Sequence, residues 1–223
     1  MCLSVVIPTL NVAQSLPATL AALRPAPIGE IIVVDGGSTD NTASLAIAAG
    51  TRVITAPRGR GTQLAAGAAA TTGKWLLFLH ADCRLESAWA EAVAGFLTKP
   101  EAETRAGYFD FALDDPNPAA RRLERIVAWR CRVLALPYGD QGLLISRALY
   151  NAIGGFAPLP LMEDVDLVRR LGRYRLSCLG VRCLTSATRY RRGGYWRRPL
   201  RNLFCLSLYM AGAAPRHIAR IYG

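Results

Sequence analysis

The chain has 223 residues, 52% of them hydrophobic and 19% charged, with a formal net charge of +11. Its length suits one domain with a sizeable core rather than two. The longest late apolar run, LFCLSLYMAGAAP, falls short of the ~20 residues of a spanning helix, and no basic segment precedes the first strand, so a soluble cytoplasmic protein is expected.

The first predicted strand is LSVVIP, a β-branched run closed by Pro8. ATLAALR follows with helical spacing, and PAPIGE reads as a loop. EIIVVD is the second strand, and GGSTDNT is a turn in which Ser38 or Asp40 can cap the helix TASLAIAAG. RVITA is the third strand, RGRG a loop, TQLAAGAAATTG an alanine-rich helix and WLLFLH the fourth strand. This alternation predicts right-handed crossovers and a parallel sheet.

After Pro100 the rhythm changes. AGYFDFAL alternates like a strand with one wet face, and PAARRLERIVAWRCRVLAL is a basic amphipathic helix. DQGLLIS is another strand, RALYNAIGGF a short helix, and EDVDLVRRLG a helix with an acidic first turn. From Tyr190 the chain is rich in arginine and aromatics, then helical. No repeat or linker divides it.

From Leu167 to Gly223 there are thirteen arginines and no acid, whereas the other 166 residues carry a net charge near −2. Such asymmetry points to an anionic partner, although many charge runs are only solvated faces. Six cysteines without a C-x-x-C pair fit free thiols in a reducing compartment.

Ligands of open α/β sheets sit at the carboxyl ends of strands. Asp35 and Asp82 fall at or just past such ends, and Asp164 falls at a helix start. A buried strand holds a carboxylate there with little positional freedom, as metal or nucleotide binding requires. Arg58 and Arg60 precede a helix N-terminus, where amides and guanidinium groups favour anions. Each residue has a plainer reading on its own. Asp35 can cap its own turn, and acids at a helix start contribute only ~0.3–1 kcal/mol each.

The ordered segments VVIPTLN, IIVVDGGSTDNT, LLFLHADCRL and MEDVDLVRRL resemble the inverting family 2 glycosyltransferases with the nucleotide-diphospho-sugar (GT-A) fold. More narrowly, RGRGTQ, FLHAD, YGDQGLLIS, GGFAPLPLMEDVDL and RYRRGGYWRR are similar to a small subgroup linked to arsenosugar biosynthesis. The resemblance spans nearly the whole chain. It implies an α/β, Rossmann-like, mostly parallel sheet flanked by helices, with a basic helical tail. Residues 1–223 would form one glycosyltransferase domain: a nucleotide-binding half (1–100), an acceptor and catalytic half (101–190) and the tail (191–223).

The resemblance also implies roles. Pro8, Thr9 and Asn11 would line the nucleoside pocket, with Asp35 accepting from a base, uracil first. Asp82 would bind Mn2+ or Mg2+ on the diphosphate of a UDP-sugar, with His80 and Ala81 beside it. Arg58, Arg60, Gln63, Arg191, Arg192 and the YWRR arginines would surround the diphosphate. Asp164 would be the general base of an inverting hexosyl transfer, Glu163 would bind the acceptor or orient the loop, and Asp140 and Gln141 would form the acceptor wall. The chain departs from the family at Gly36, His80 and Ala65, where acids or asparagine are usual. The processive Gln-x-x-Arg-Trp signature is absent, which favours transfer of a single sugar to a small-molecule or lipid-linked acceptor.

A non-catalytic binder of nucleic acid or other anions fits the charge and the aromatic tail. It does not explain three acids at strand and helix ends, so nucleic acid is not expected as the partner. The basic amphipathic helices give the chain a route to a membrane surface.

Overall fold

Uncharged, largely apolar runs of the chain form its central strands. The computed structural model describes residues 2–24 and 26–222, apart from the side chains of Arg189 and Arg192. Strands Leu3–Thr9 (β1), Glu30–Asp35 (β2), Arg52–Thr55 (β3) and Trp75–Phe78 (β4) are mutually parallel, with β1 between β2 and β4. Helices Leu16–Leu23 (α1), Thr42–Ala48 (α2) and Arg60–Ala70 (α3) make the crossovers. Every residue of β1 and β4 is buried, as continuous apolar strands covered on both faces should be.

The second half adds Cys83–Leu85 (β5), Trp89–Leu97 (α4), Ala106–Leu113 (β6), Pro118–Leu134 (α5), Leu143–Ser146 (β7), Arg147–Ala152 (α6), Glu163–Leu171 (α7) and Leu176–Thr185 (β8). Thr188–Gly193 (α8), Arg197–Met210 (α9) and Pro215–Tyr222 (α10) follow. The sheet order is β3-β2-β1-β4-β7-β6-β8-β5. β7 runs antiparallel to β4, with Leu143 opposite Phe78. The start of β7 therefore lies beside the end of β4, which brings the 139–141 turn to the tip of β4.

Alternate strand residues feed two cores. Val5, Ile7, Val33 and Leu77 pack with Leu20 of α1 and Trp89 of α4 on one face. Val6, Val34, Leu76 and Phe78 pack with Leu64 of α3 and Leu167 of α7 on the other. α3 approaches the sheet closely because Gly67 lacks a side chain. A Cβ there would lie 2.3 Å from Val6 Cγ1 and 2.8 Å from Val34 Cγ2. Gly67→Ala should therefore lose roughly 1–3 kcal/mol to overpacking, more than the ~1 kcal/mol alanine gains in helix propensity. The denaturation midpoint should fall at constant m-value, whereas a rise would mean that α3 does not sit so close.

Several boundaries differ from the sequence reading. β4 ends at Phe78, leaving Leu79 and His80 in the following turn. Arg60, expected in a loop, opens α3. Neither Ser38 nor Asp40 is the N-cap of α2: Asn41 holds that position without a side-chain bond, Asp40 just before it accepts from Thr42 N at 3.0 Å, and Ser38 turns to Asp35. The wet face expected of AGYFDFAL is reduced to a half-buried Asp110, because neighbouring elements cover the rest. α4, β5 and β8 had no counterpart in the sequence reading.

α8 is tied to the loop before α5. Arg191 Nε donates to Asp115 Oδ2 at 2.8 Å, and Tyr195 Oη donates to the same oxygen at 2.6 Å. These bonds, Tyr195 first and then Arg191, hold the Asp115 carboxyl down at about 2.

Candidate active site

A cleft of about 440 Å³ opens at the carboxyl ends of β1 and β4. β1 contributes Pro8 and Thr9, and the turn after β4 contributes His80, Ala81 and Asp82. The start of α3 adds Arg58, Arg60 and Gln63, and the start of α7 adds Asp164. Asp140 comes from the turn before β7. Of the fourteen candidate residues from Pro8 to Asp164, ten line the cleft and four, Asn11, Asp35, Gln141 and Glu163, form a supporting layer outside its lining.

Asp35 and Asn11 belong to the supporting layer. Asp35 Oδ2 accepts from Gly37 N (3.1 Å) and Ser38 N (2.8 Å), and Oδ1 accepts from the hydroxyls of Ser38 and Thr9. Burial works to raise its pKa, but the Ser38 and Gly37 bonds hold it below the ordinary value. Four donors occupy the roughly four acceptor positions of a carboxylate. Accepting from a base would require giving one up, and Thr9 Oγ1 is the weakest holder because it also donates to Val34 O at 3.3 Å. Asn11, with φ of 51°, receives Thr39 N on its own Oδ1. Gln63 lines the cleft, but its Nε2 is committed to Thr9 O and Val34 O, both at 2.8 Å.

His80, Asp82 and Cys83 each bring a ligand atom within 4.8 Å of the others. The donor set fits a divalent cation. Asp82 offers the hard oxygen that Mn2+ and Mg2+ require, and His80 adds a nitrogen donor of borderline softness beside it. Cys83 is the poorest candidate of the three. Its buried sulfur faces Asp140 O and Thr185 Oγ1, both at 3.4 Å, and its thiol is pushed well above the ordinary value by Cys183 and by burial. Gly139 permits this geometry, since a Cβ there would sit 2.6 Å from His80 Nε2 and 3.4 Å from Asp164 Oδ2.

The start of α7 carries adjacent carboxylates in different surroundings. Asp164 Oδ2 accepts from Gly139 N at 2.7 Å and Oδ1 from Val165 N at 2.8 Å, which fixes its rotation at the cleft wall. Glu163 is fully buried behind it, with Oε1 2.9 Å from Arg60 Nε. Burial first, and then Asp164, push the Glu163 carboxyl upward against the pull of Arg60. Met162, just before this pair, holds a left-handed φ of 67°. Such a conformation costs about 1 kcal/mol or more in a non-glycine residue and is found where a site imposes it.

Asp140 lines the cleft with its Oδ1 sealed from solvent and without a hydrogen-bond partner among the described residues. Burial, aided by Asp164 and Asp82 and opposed by Arg130, raises its carboxyl from 3.8 to about 6. A raised folded-state pKa favours the fold below the ordinary value, and that contribution is lost as pH rises toward 6. Asp140→Asn should therefore melt higher than the parent at pH 7.5 in chelator, by up to roughly 1–3 kcal/mol in stability, with the gap closing near pH 4. An equal gap at both pH values would show that Asp140 carries no such strain.

Two expectations need correction. Gln141 is buried and turned away from the cleft. Its Nε2 donates to Phe109 O (3.0 Å), and its Oε1 accepts from Arg130 Nη2 (3.0 Å) and Tyr138 N (3.2 Å). It builds the turn rather than an acceptor wall. Arg191 is engaged with Asp115 and Asp114 O, outside the cleft. The Arg192 side chain lies outside the described residues. Of the tail, Arg198 from YWRR does reach the cleft, together with Tyr190, Asn202 and Tyr222. Arg198 Nη2 donates to Tyr222 Oη at 3.3 Å. Asn202 and Tyr222 escaped the sequence reading because only the fold-back of α9 and α10 brings them there.

Residues 4–159 match a family described as Glycosyl transferase family 2. A PGL/p-HBAD biosynthesis glycosyltransferase of Mycobacterium tuberculosis is 43% identical over 168 residues, covering 69% of this chain and 62% of the relative. The match thus covers less than two thirds of that relative's length. Among solved structures, glucosyl-3-phosphoglycerate synthase from Mycobacterium tuberculosis in complex with Mn2+, UDP and glucosyl-3-phosphoglycerate is similar, with a TM-score of 0.60 and 25% identity over 91% of this chain and 78% of that one. S. aureus TarS shares the fold, with a TM-score of 0.65 at 16% identity over 100% of this chain and 69% of that one.

Proposed function

This chain belongs to glycosyl transferase family 2, and we propose that it moves one sugar, with inversion, from a nucleotide-diphosphate donor to an acceptor hydroxyl. The observation that carries the proposal is one cleft lined by Asp82, Asp140 and Asp164 and edged by Arg58, Arg60 and Arg198. The arginines suit a diphosphate. Three carboxylates beside them suit a cation and sugar hydroxyls, and would repel the phosphates of a nucleic acid. A non-catalytic anion binder is the weaker reading for that reason. The similar synthase was solved with UDP and Mn2+, which supports a uridine donor here.

In the proposed division of labour, residues 1–100 hold the nucleotide through Pro8, Thr9 and Asp82. Residues 101–190 present Asp140 to the sugar or acceptor and Asp164 to the reacting hydroxyl. Residues 191–223 bring Arg198 over the diphosphate. Asp164 accepts the acceptor's proton as its oxygen bonds to the anomeric carbon, and the bond to the diphosphate breaks with its electron pair leaving on phosphate oxygen. Arg60 faces the site with Glu163 behind it, so this cation is aimed by a buried partner. A divalent cation held by Asp82, with His80 alongside, would supply positive charge opposite the leaving diphosphate.

The narrower resemblance to arsenosugar enzymes has no support from the relatives described above, so the acceptor is proposed only as a hydroxyl on a small or lipid-linked molecule. Thermal shift with UDP, with and without Mn2+, tests the donor half of this reading. A rise in melting temperature that needs both is expected, since ligands of the native state stabilise it. No shift with any nucleoside diphosphate and Mn2+ would overturn it.

A further inference from the structure

Helix α9 turns one side to the protein and the other outward. Arg198 and Asn202 line the cleft, Cys205 and Leu206 are buried against Val165 and Val168 of α7, and Leu200, Leu203 and Phe204 stand 54–60% exposed. Arg197 and Arg201 are exposed beside that apolar stripe, and Trp196 is exposed just before it. α5 repeats the pattern. It buries Leu123, Val127 and Cys131, while Ile126, Trp129 and Val133 form an exposed stripe with Arg122, Arg125 and Arg132 around it. The two helices share neighbours. Leu136, just past α5, packs with Cys205 and Leu206, and Tyr190 of α8, the helix before α9, packs with Leu123 and Val127. Among the described residues, Leu45 and Ile47 are the only exposed large apolar side chains before α5.

We propose that the outward faces of α9 and α5 dock on an anionic lipid bilayer. Helices lying in a membrane interface bury an apolar stripe by ~5–10 Å and keep basic residues at the headgroups. Each such arginine is drawn to an anionic surface, and tryptophan settles at the same depth. No acid lies in residues 167–223, and the one acid of α5, Glu124, is paired with Arg121 and Arg182, so the surface is complementary in charge as well as in polarity. A second copy of this chain fits less well, because a two-fold contact on α9 would set Arg197 and Arg201 against their own copies. A nucleic acid would satisfy the arginines but offers nothing to Leu200 and Leu203. Docking stands whether or not the transfer reading holds. Only its consequence rests on that reading: α9 borders the cleft, so docking would bring the cleft near lipid-borne hydroxyls.

The test uses the full chain with vesicles of phosphatidylcholine alone and of phosphatidylcholine mixed with phosphatidylglycerol. Co-sedimentation should occur with the mixed vesicles and weaken by about tenfold or more in high salt. Leu203→Glu with Phe204→Glu should weaken it by about tenfold or more while the UDP-dependent thermal shift persists. Brominated lipid should quench tryptophan fluorescence of the unaltered chain. Trp75 and Trp89 are buried, so quenching reports Trp129 and Trp196. That measurement decides the matter even if the double substitution disturbs α9. Absence of co-sedimentation, binding unaffected by the double substitution, or unquenched fluorescence would each overturn the proposal. So would a lipid-free dimer that the double substitution dissociates, which would assign the face to a second copy.

Discussion

Asp82→Ala is expected to weaken Mn2+-dependent UDP binding by about a hundredfold or more, equivalent to ~3 kcal/mol, while the fold stays intact. The residue stands one turn past the end of β4, and the buried side chains there are Leu77, Phe78 and Leu79 rather than Asp82. Truncating it removes the only carboxylate of the three-residue donor group. A hard cation loses its best ligand, and imidazole alone is a weak substitute. Calorimetry with UDP in Mn2+ and in chelator separates the effects. The parent should show a large difference between the two conditions and the variant almost none. His80→Ala should keep part of the difference, because the carboxylate survives. A folded Asp82→Ala protein with undiminished metal-dependent affinity would remove Asp82 from the metal site and reopen the roles of Asp140 and Asp164.

What the sequence reveals about this site depends on how local each residue's cause is. β1, β2 and β4 are legible because a strand buried on both faces is a continuous apolar run. Asp82 and Asp164 are legible because a strand end and a helix start place them within a few residues of their own motif. β8 is different. It contains Gly180 and the half-buried Arg182, and pairing with β6 on one side and β5 on the other makes it a strand. α4 carried a readable signal in Trp89, Val93 and Phe96, all buried on one face. Side-chain direction is the hardest to read. Asp35, Gln63 and Gln141 look like ligand contacts in the sequence, yet each spends its hydrogen bonds on the backbone or side chains around it. Gln63 and Gln141 find Thr9 O, Val34 O and Phe109 O far along the chain, whereas Asp35 is held mainly by Gly37 and Ser38 of its own turn. Asn202 and Tyr222 fail in the opposite sense: unremarkable in a basic tail, they reach the cleft only because α9 and α10 fold over α7.

Asp164→Asn should lower single-turnover transfer by roughly 10²–10⁴-fold, the usual contribution of a positioned general base. Donor affinity should be almost unchanged, because the proton is taken only as the new bond forms. The substitution has a small structural consequence that can be separated from the chemical one. Asp164 now accepts from Gly139 N and Val165 N, one on each oxygen. An asparagine can accept on one side only, so its amide must face one N–H, for about 1 kcal/mol of stability. A modest drop in melting temperature with intact UDP binding is therefore part of the expected result. Glu163→Gln is the control for position. Glu163 is fully buried beside Arg60 and its carboxyl is pushed upward, so the neutral amide resembles the form that burial favours. It should disturb the aim of Arg60 more than the proton transfer, raising the donor KM while reducing the single-turnover rate less than Asp164→Asn does. The anomeric configuration of the product supplies an independent check, since one displacement must invert it. A near-parent rate for Asp164→Asn, or a retained configuration, would mean that the proton leaves by another route and that Asp164 only shapes the turn at Gly139.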